Sequence, residues 1–213
     1  SNSSSLHCLT KYRYRAMKYA ITGGIGSGKS YVCRMLKDYG IVVYDCDAAA
    51  KRLMRTDRTL QQRLSDAVGA EVFPDGQLNK AVLAKFLLAS EENNRIINNI
   101  VHPAVADDFA SSGMSWLESA ILFEADFQKY VDRVVCVSAP LEVRTQRIMK
   151  RDGISREQAA EWIDRQMPQE EKERRSHYVI ENDGVTSLEK QIEKMLADIQ
   201  AAEAHAAEVS GRE

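Results

Sequence analysis

No stretch of this 213-residue chain stays apolar for the roughly 20 residues that a membrane-crossing helix needs. Residues 1–16 (SNSSSLHCLTKYRYRA) carry basic side chains but no apolar centre, which excludes a secretory leader and leaves a mobile tail as the expectation. Cysteine is scarce and scattered. None of Cys8, Cys33, Cys46 and Cys136 forms a CxxC pair or lies beside a histidine at ligand spacing, so neither a zinc site nor a disulfide framework is expected. Cys33 and Cys136 fall in apolar periodic stretches and read as buried thiols, which fits a reducing, cytoplasmic compartment. There is no excess of one charge either. With 29 basic and 31 acidic residues the formal net charge is −2, which gives no sign of a nucleic-acid binder. No membrane and no obligate protein partner is indicated.

What the chain does have is the amphipathic patterning of one α/β domain. Lys18 to Thr22 is a short β-prone run that enters a glycine cluster. Val32, Met35, Leu36 and Tyr39 then recur at helical spacing before Gly40 stops the helix, and Ile41 to Tyr44 reads as a buried strand. Strand, loop, helix and strand make a βαβ unit. From residue 48 to 113 helical patterns dominate (48–54, 60–68, 80–89 and 91–100), with a turn at Phe73-Pro74-Asp75-Gly76. Strands resume at Trp116–Phe123 and Arg133–Ser138, Pro140 is placed to open a helix through Arg151, and a last short strand falls at Tyr178–Ile180. Ser155 and Thr186 each begin a capping-box pattern. The final helix puts Leu188, Ile192, Met195 and Ile199 on one face, and the segment after about Ala201 reads as a fraying tail.

The chemistry starts at Gly23-Gly24-Ile25-Gly26-Ser27-Gly28-Lys29-Ser30. This is a complete phosphate-binding loop with the strand before and helix after that its mechanism requires. Glycines let the backbone curl so that successive amides from Gly24 to Tyr31 face phosphate oxygens, and the helix N-terminus adds its dipole. Lys29 supplies a point charge for the β- and γ-phosphates, and the Ser30 hydroxyl is an oxygen ligand suited to Mg²⁺. ATP is the expected phosphoryl donor.

Asp45-Cys46-Asp47 follows the second strand, at the end of a parallel sheet where ligands gather. Phosphoryl transfer to a hydroxyl needs a carboxylate of this kind. Asp47, ahead of three alanines, is an equally good helix N-cap, while Asp45 reads as structural. Cations thicken between Arg144 and Arg175, with Arg144, Arg147 and Arg151 on one helix face. Nearby glutamates let most of them read as a solvated surface. His102, before Pro103, reads as a packing residue. A guanine-nucleotide switch fits poorly. Asn79-Lys80-Ala81-Val82 lacks the specificity aspartate, and Asp66-Ala67-Val68-Gly69 lies in a helical pattern.

Six segments together resemble the dephospho-CoA kinase family: ITGGIGSGKS (21–30), YDCDAAAK (44–51), IVHPAV (100–105), AILFEADF (120–127), QRIMKRDG (146–153) and VIENDG (179–184). They occur in the family's order and cover Lys18 to about Ile199. The resemblance implies a P-loop kinase-type α/β fold, with a parallel sheet flanked by helices, a helical insertion and a helical lid. The domain would span 17–201, with its core in 17–47, 114–139 and 176–201. The insertion, 48–113, would bind CoA; 140–175 would be the lid, and 202–213 a tail. The implied reaction is phosphorylation of the ribose 3′-hydroxyl of dephospho-CoA by ATP, giving CoA and ADP. Catalysis falls to Asp47, Lys29 and Arg147. ATP would contact Gly24, Ile25, Gly26, Ser27, Gly28, Lys29, Ser30, Tyr31, Arg147, Arg151, Asn182 and Gly184. Dephospho-CoA would meet Asp47 and His102, and Ser30 would ligate Mg²⁺. Four positions depart from the family pattern: Tyr31 in place of threonine, Ala120 of proline, Trp162 of arginine and His177 of aspartate. Other small-molecule kinases of the nucleoside, nucleotide or shikimate kind are the alternative.

Overall fold

Alternation along the strands sets the architecture of the computed structural model, which describes residues 16–211. The expected mobile tail, 1–16, lies outside the described residues but for Ala16. β1 (Tyr19–Thr22) is buried throughout, with Tyr19 and Ile21 in one hydrophobic cluster and Ala20 in the other. β4 (Arg133–Ser138) divides the same way, Val135 and Val137 against Val134. Both faces are therefore covered, as in a sheet with helices on each side. With β2 (Val43–Asp45), β3 (Trp116–Glu118) and β5 (Tyr178–Glu181), these strands form one parallel sheet in the order β2-β3-β1-β4-β5. β1 sits at its centre.

On one face pack α1 (Lys29–Lys37) and α9 (Leu188–Ser210). Val32 and Leu36 of α1 and Ile192, Met195 and Ile199 of α9 meet Ile21, Trp116 and Val135 there. On the other face lie α2 (Cys46–Thr56), α3 (Arg58–Val68), α4 (Lys80–Ala89) and α5 (Glu91–Ser112). Leu53, Leu64, Val101 and Phe109 cluster with Leu117 and Val134. Then α6 (Leu141–Asp152), α7 (Arg156–Asp164) and α8 (Gln169–Arg174) join β4 to β5. Among the described residues no helix is long and apolar enough to cross a membrane.

Several local expectations are corrected. The apolar run after Trp116 is strand only as far as Glu118. Leu122, Phe123 and Phe127 are buried in turns and a short 3-10 segment, so burial rather than pairing explains their character. α5 does not stop at Ile100 but runs through Pro103 to Ser112. An internal proline removes one helical hydrogen bond. The buried stripe Val101, Val105, Ala106 and Phe109 continues across it, so tertiary packing overrides the local penalty. Pro140 is the N-cap of α6 rather than its first helical residue. Ser155 caps α7 as its pattern predicts, through the amide of Gln158 at 3.1 Å, but Ser187 rather than Thr186 caps α9. That last helix is regular to Ser210, past the point where a tail was expected.

Candidate active site

The loop between β1 and α1 is shaped by what presses on it. Gly26 and Gly28 have φ of +80° and +82°, a region that costs other residues roughly 1–2 kcal/mol. A Cβ on Gly28 would overlap Asn182 Nδ2, and one on Gly26 would come within 2.7 Å of the Arg144 carbonyl. Gly28 is also the N-cap of α1 and contributes no side chain, so the helix's first amides keep no intramolecular side-chain acceptor. Arg147 Nη1 donates to the carbonyls of Gly26 (3.1 Å) and Ser27 (3.3 Å), and its Nη2 donates to Asn182 O at 2.7 Å. Asn182 Nδ2 donates to Ser27 O at 2.9 Å. The carbonyls of Gly26 and Ser27 are thus held from outside the loop, while the Ser27 amide closes a turn onto Gly24 O at 3.1 Å.

Inside the loop lies a cleft of about 750 Å³, lined by Gly23 to Tyr31 together with Arg147, Arg151 and Gln166. A second cleft of about 470 Å³ is lined by Asp45, Cys46, Asp47, His102 and Glu118. Lys29, Ser30 and Ala120 line both clefts. Gly184, in a turn at φ +83°, lines neither.

The two aspartates separate cleanly. Asp45 is the N-cap of α2, its Oδ1 accepting the Ala48 amide at 3.0 Å. Asp47 sits in the first turn with its side chain 83% exposed and, among the described residues, paired with Lys51 at 3.3 Å. Its carboxylate is therefore free of capping duty and open to the second cleft. His102 is half-buried in the same cleft, edge-on to Phe127 at 5.8 Å between ring centroids. Burial first, then the Lys129 charge, pushes its pKa below the ordinary 6.5 and so favours the neutral ring, partly offset by a hydrogen bond to the Ala125 backbone. Burial pushes the Cys46 thiol up to about 12, so it is not a nucleophile at neutral pH.

Glu118 was not singled out in the sequence. Its Oε1 lies 3.2 Å from Lys29 Nζ, and both side chains are only 14% exposed. The residue ends β3, the strand beside β1, level with Asp45 and Ile21. The available signal was its place at the carboxyl end of a parallel strand next to the loop. It was hidden because the apolar run after Trp116 read as one long strand.

The cations between 144 and 175 also sort by contact. Arg156 grips Glu142 with two hydrogen bonds, at 2.9 and 3.0 Å, and holds that carboxyl down at about 2. Arg165 pairs with Glu161, and Arg174 and Arg175 both pair with Glu171, as a solvated surface would. Arg151 is exposed at the first cleft and paired with Asp152. Lys172 is different. It is fully buried, with Nζ 2.8 Å from Ala120 O and 3.3 Å from Glu124. His177 accepts the Val134 amide on Nδ1 at 3.0 Å, a role that an aspartate oxygen would fill equally.

A central phosphate loop on a parallel sheet, opening onto a second cleft with carboxylates, places the chain among the P-loop kinases. Comparison with known proteins narrows that class. The family model for dephospho-CoA kinase matches residues 17–189. The dephospho-CoA kinase of Bacteroides fragilis (strain YCH46) is 44% identical over 189 residues, 85% of this chain and 92% of that one. That of Carboxydothermus hydrogenoformans is 35% identical over 190 residues, 84% and 91% of the two chains. Among solved structures, TT1252 from Thermus thermophilus superposes with a TM-score of 0.71 at 31% identity, covering 88% of this chain and 98% of that one. The chain belongs to the dephospho-CoA kinase family.

Proposed function

We propose that the chain transfers the γ-phosphoryl group of ATP to the ribose 3′-hydroxyl of dephospho-CoA, giving CoA and ADP, the last step of coenzyme A biosynthesis. One observation carries the reading. A phosphate-loop cleft and a carboxylate-lined cleft meet at Lys29, Ser30 and Ala120, where a donor and an acceptor would be in line.

In this reading the amides from Gly24 to Tyr31 hold the phosphates and Lys29 neutralises charge on the transferring group. Arg147 and Asn182 act through the loop. Their bonds to its carbonyls fix the direction of its amides, and Arg147 and Arg151 also face the nucleotide. Asp47 accepts the proton of the attacking hydroxyl, as an exposed carboxylate at the mouth of the acceptor cleft can do. His102, neutral, offers a hydrogen bond to substrate rather than a charge. The helical region 48–113 holds the CoA moiety, and 140–175 covers the nucleotide.

The donor set also fits Mg²⁺. The Ser30 hydroxyl has no hydrogen-bond partner among the described residues and lines the second cleft together with Asp45, Asp47 and Glu118. No cluster of three His, Cys, Asp or Glu ligands occurs among the described residues, so phosphate oxygens and water would have to supply most of the ligands. Bound there, Mg²⁺ would supply charge neutralisation at the phosphates. The buried thiols Cys33, Cys46 and Cys136 are free, which agrees with work in a reducing cytoplasm.

The test is product identification. With ATP, Mg²⁺ and dephospho-CoA, mass spectrometry should find one added phosphate and NMR should locate it on the 3′-oxygen. Turnover of a nucleoside or shikimate, with none of dephospho-CoA, would transfer the chain to the alternative small-molecule kinases.

A further inference from the structure

Among the described residues, Gln166 is the one side chain from the α6–α8 region that occupies an amide of the phosphate loop. It lies just after α7, and its Oε1 accepts the Ile25 N–H at 2.8 Å. A Cβ on Gly24 would stand 3.1 Å from the same oxygen, so the carboxamide rests directly on the first half of the loop. Its Nε2 has no partner among the described residues. Gln166 and Ile25 both line the donor cleft.

The segment carrying Gln166 is fixed by its neighbours. The Met167 amide reaches Glu124 Oε2 at 3.4 Å, and Gln169 Oε1 accepts the Ala139 amide at 3.1 Å. Lys172 Nζ holds Ala120 O at 2.8 Å. The two halves of the phosphate loop thus have different surroundings. Gly26 to Gly28 face Arg147 and Asn182, whereas Gly24 and Ile25 face Gln166, in the segment tied to Ala120. Ala120 is where the donor cleft opens into the acceptor cleft. In the kinase reading, on which this inference rests, the terminal phosphate sits at that end.

We infer that Gln166 recognises the γ-phosphate of the bound nucleotide. Its carbonyl holds the Ile25 N–H, and on loading a γ-phosphate oxygen takes that amide. With ATP bound, the carboxamide releases that amide and Nε2 donates to the γ-phosphate instead. With ADP bound, the Gln166–Ile25 bond stays. The residue therefore distinguishes triphosphate from diphosphate at the loop itself. A tie that merely fastened α7 to the loop would act on both nucleotides alike.

Gln166→Glu tests this with little change of shape. It keeps an acceptor for Ile25 N–H but replaces the free donor with an anionic oxygen facing the phosphate. Calorimetric titration with Mg²⁺-ADP and with the non-hydrolysable imido analogue of Mg²⁺-ATP gives the readout. Gln166→Glu should bind ADP within about twofold of wild type and the triphosphate analogue about tenfold or more weakly, as one adverse contact of about 1.4 kcal/mol implies. Gln166→Ala, the second variant should the first fold poorly, should lower kcat while leaving ADP affinity unchanged. Equal weakening of the two nucleotides, or no change in either, overturns the inference while leaving the kinase reading intact. Wild-type protein that binds neither nucleotide sinks both.

Discussion

Removing Glu124 should destabilise the protein more than removing Lys172, although the two form one ion pair. The Lys172 side chain is 0% exposed and Glu124 is 26% exposed. Glu124→Ala leaves a buried ammonium with the Ala120 carbonyl as its remaining partner, and stranding a buried charge in this way costs about 3–5 kcal/mol. Lys172→Met keeps the apolar stem and leaves a carboxylate that water can reach. Its cost is the lost hydrogen bond to Ala120, about 1–2 kcal/mol. The double variant removes both charges, so its destabilisation should fall below the sum of the two singles. Urea unfolding followed by circular dichroism measures all three. A Lys172→Met variant as damaged as Glu124→Ala, or strictly additive effects, would refute the argument that burial asymmetry governs this pair.

Other outcomes follow from single contacts. Gly28→Ala combines a positive φ with displacement of Asn182 Nδ2, so it should lose about 2–3 kcal/mol of stability together with nucleotide affinity; wild-type values in denaturation and titration would contradict the packing described. Asp47→Asn should shift stability by less than about 0.5 kcal/mol, since Asp45 holds the cap, yet lower kcat by about 10²-fold or more. Steady-state assays showing near-normal turnover would remove Asp47 from catalysis. For His177, burial and then the Arg133 charge push the pKa down, so the unfolded chain takes the proton more readily. Its share of stability is complete above the ordinary value of 6.5 and is lost as pH falls below it. His177→Asp keeps an acceptor for the Val134 amide, so it should lose less stability than wild type between about pH 7.5 and about pH 5.5. An identical loss in both proteins would show that His177 does not contribute to the acid limb.

The phosphate loop was legible because its mechanism is local: glycines at the strained positions, then lysine and serine at a helix start. The parallel sheet was legible through its alternating and continuous apolar runs. What escaped the sequence depended on non-local contacts. Asp45 and Asp47 are two residues apart, and only the backbone at the end of β2 shows which of them caps α2. The strand assigned up to Phe123 stops at Glu118 because the later apolar residues pack against helices rather than pair. Glu118 was obscured by that misreading. The cations between 144 and 175 look alike in sequence, yet their surroundings separate Lys172 in the interior and Arg147 on the loop from the surface pairs.

The Lys29–Glu118 contact gives the lysine a carboxylate partner of its own. An incoming anion does not find a waiting positive charge; it must compete for one that a carboxylate already holds in a half-dry setting. A lone sulfate or orthophosphate would have to displace Glu118 with only part of the loop's amides to compensate. A polyphosphate spanning the loop gains many contacts at once and can prevail. A chain of phosphates should therefore bind in preference to abundant single ions, before any acceptor arrives.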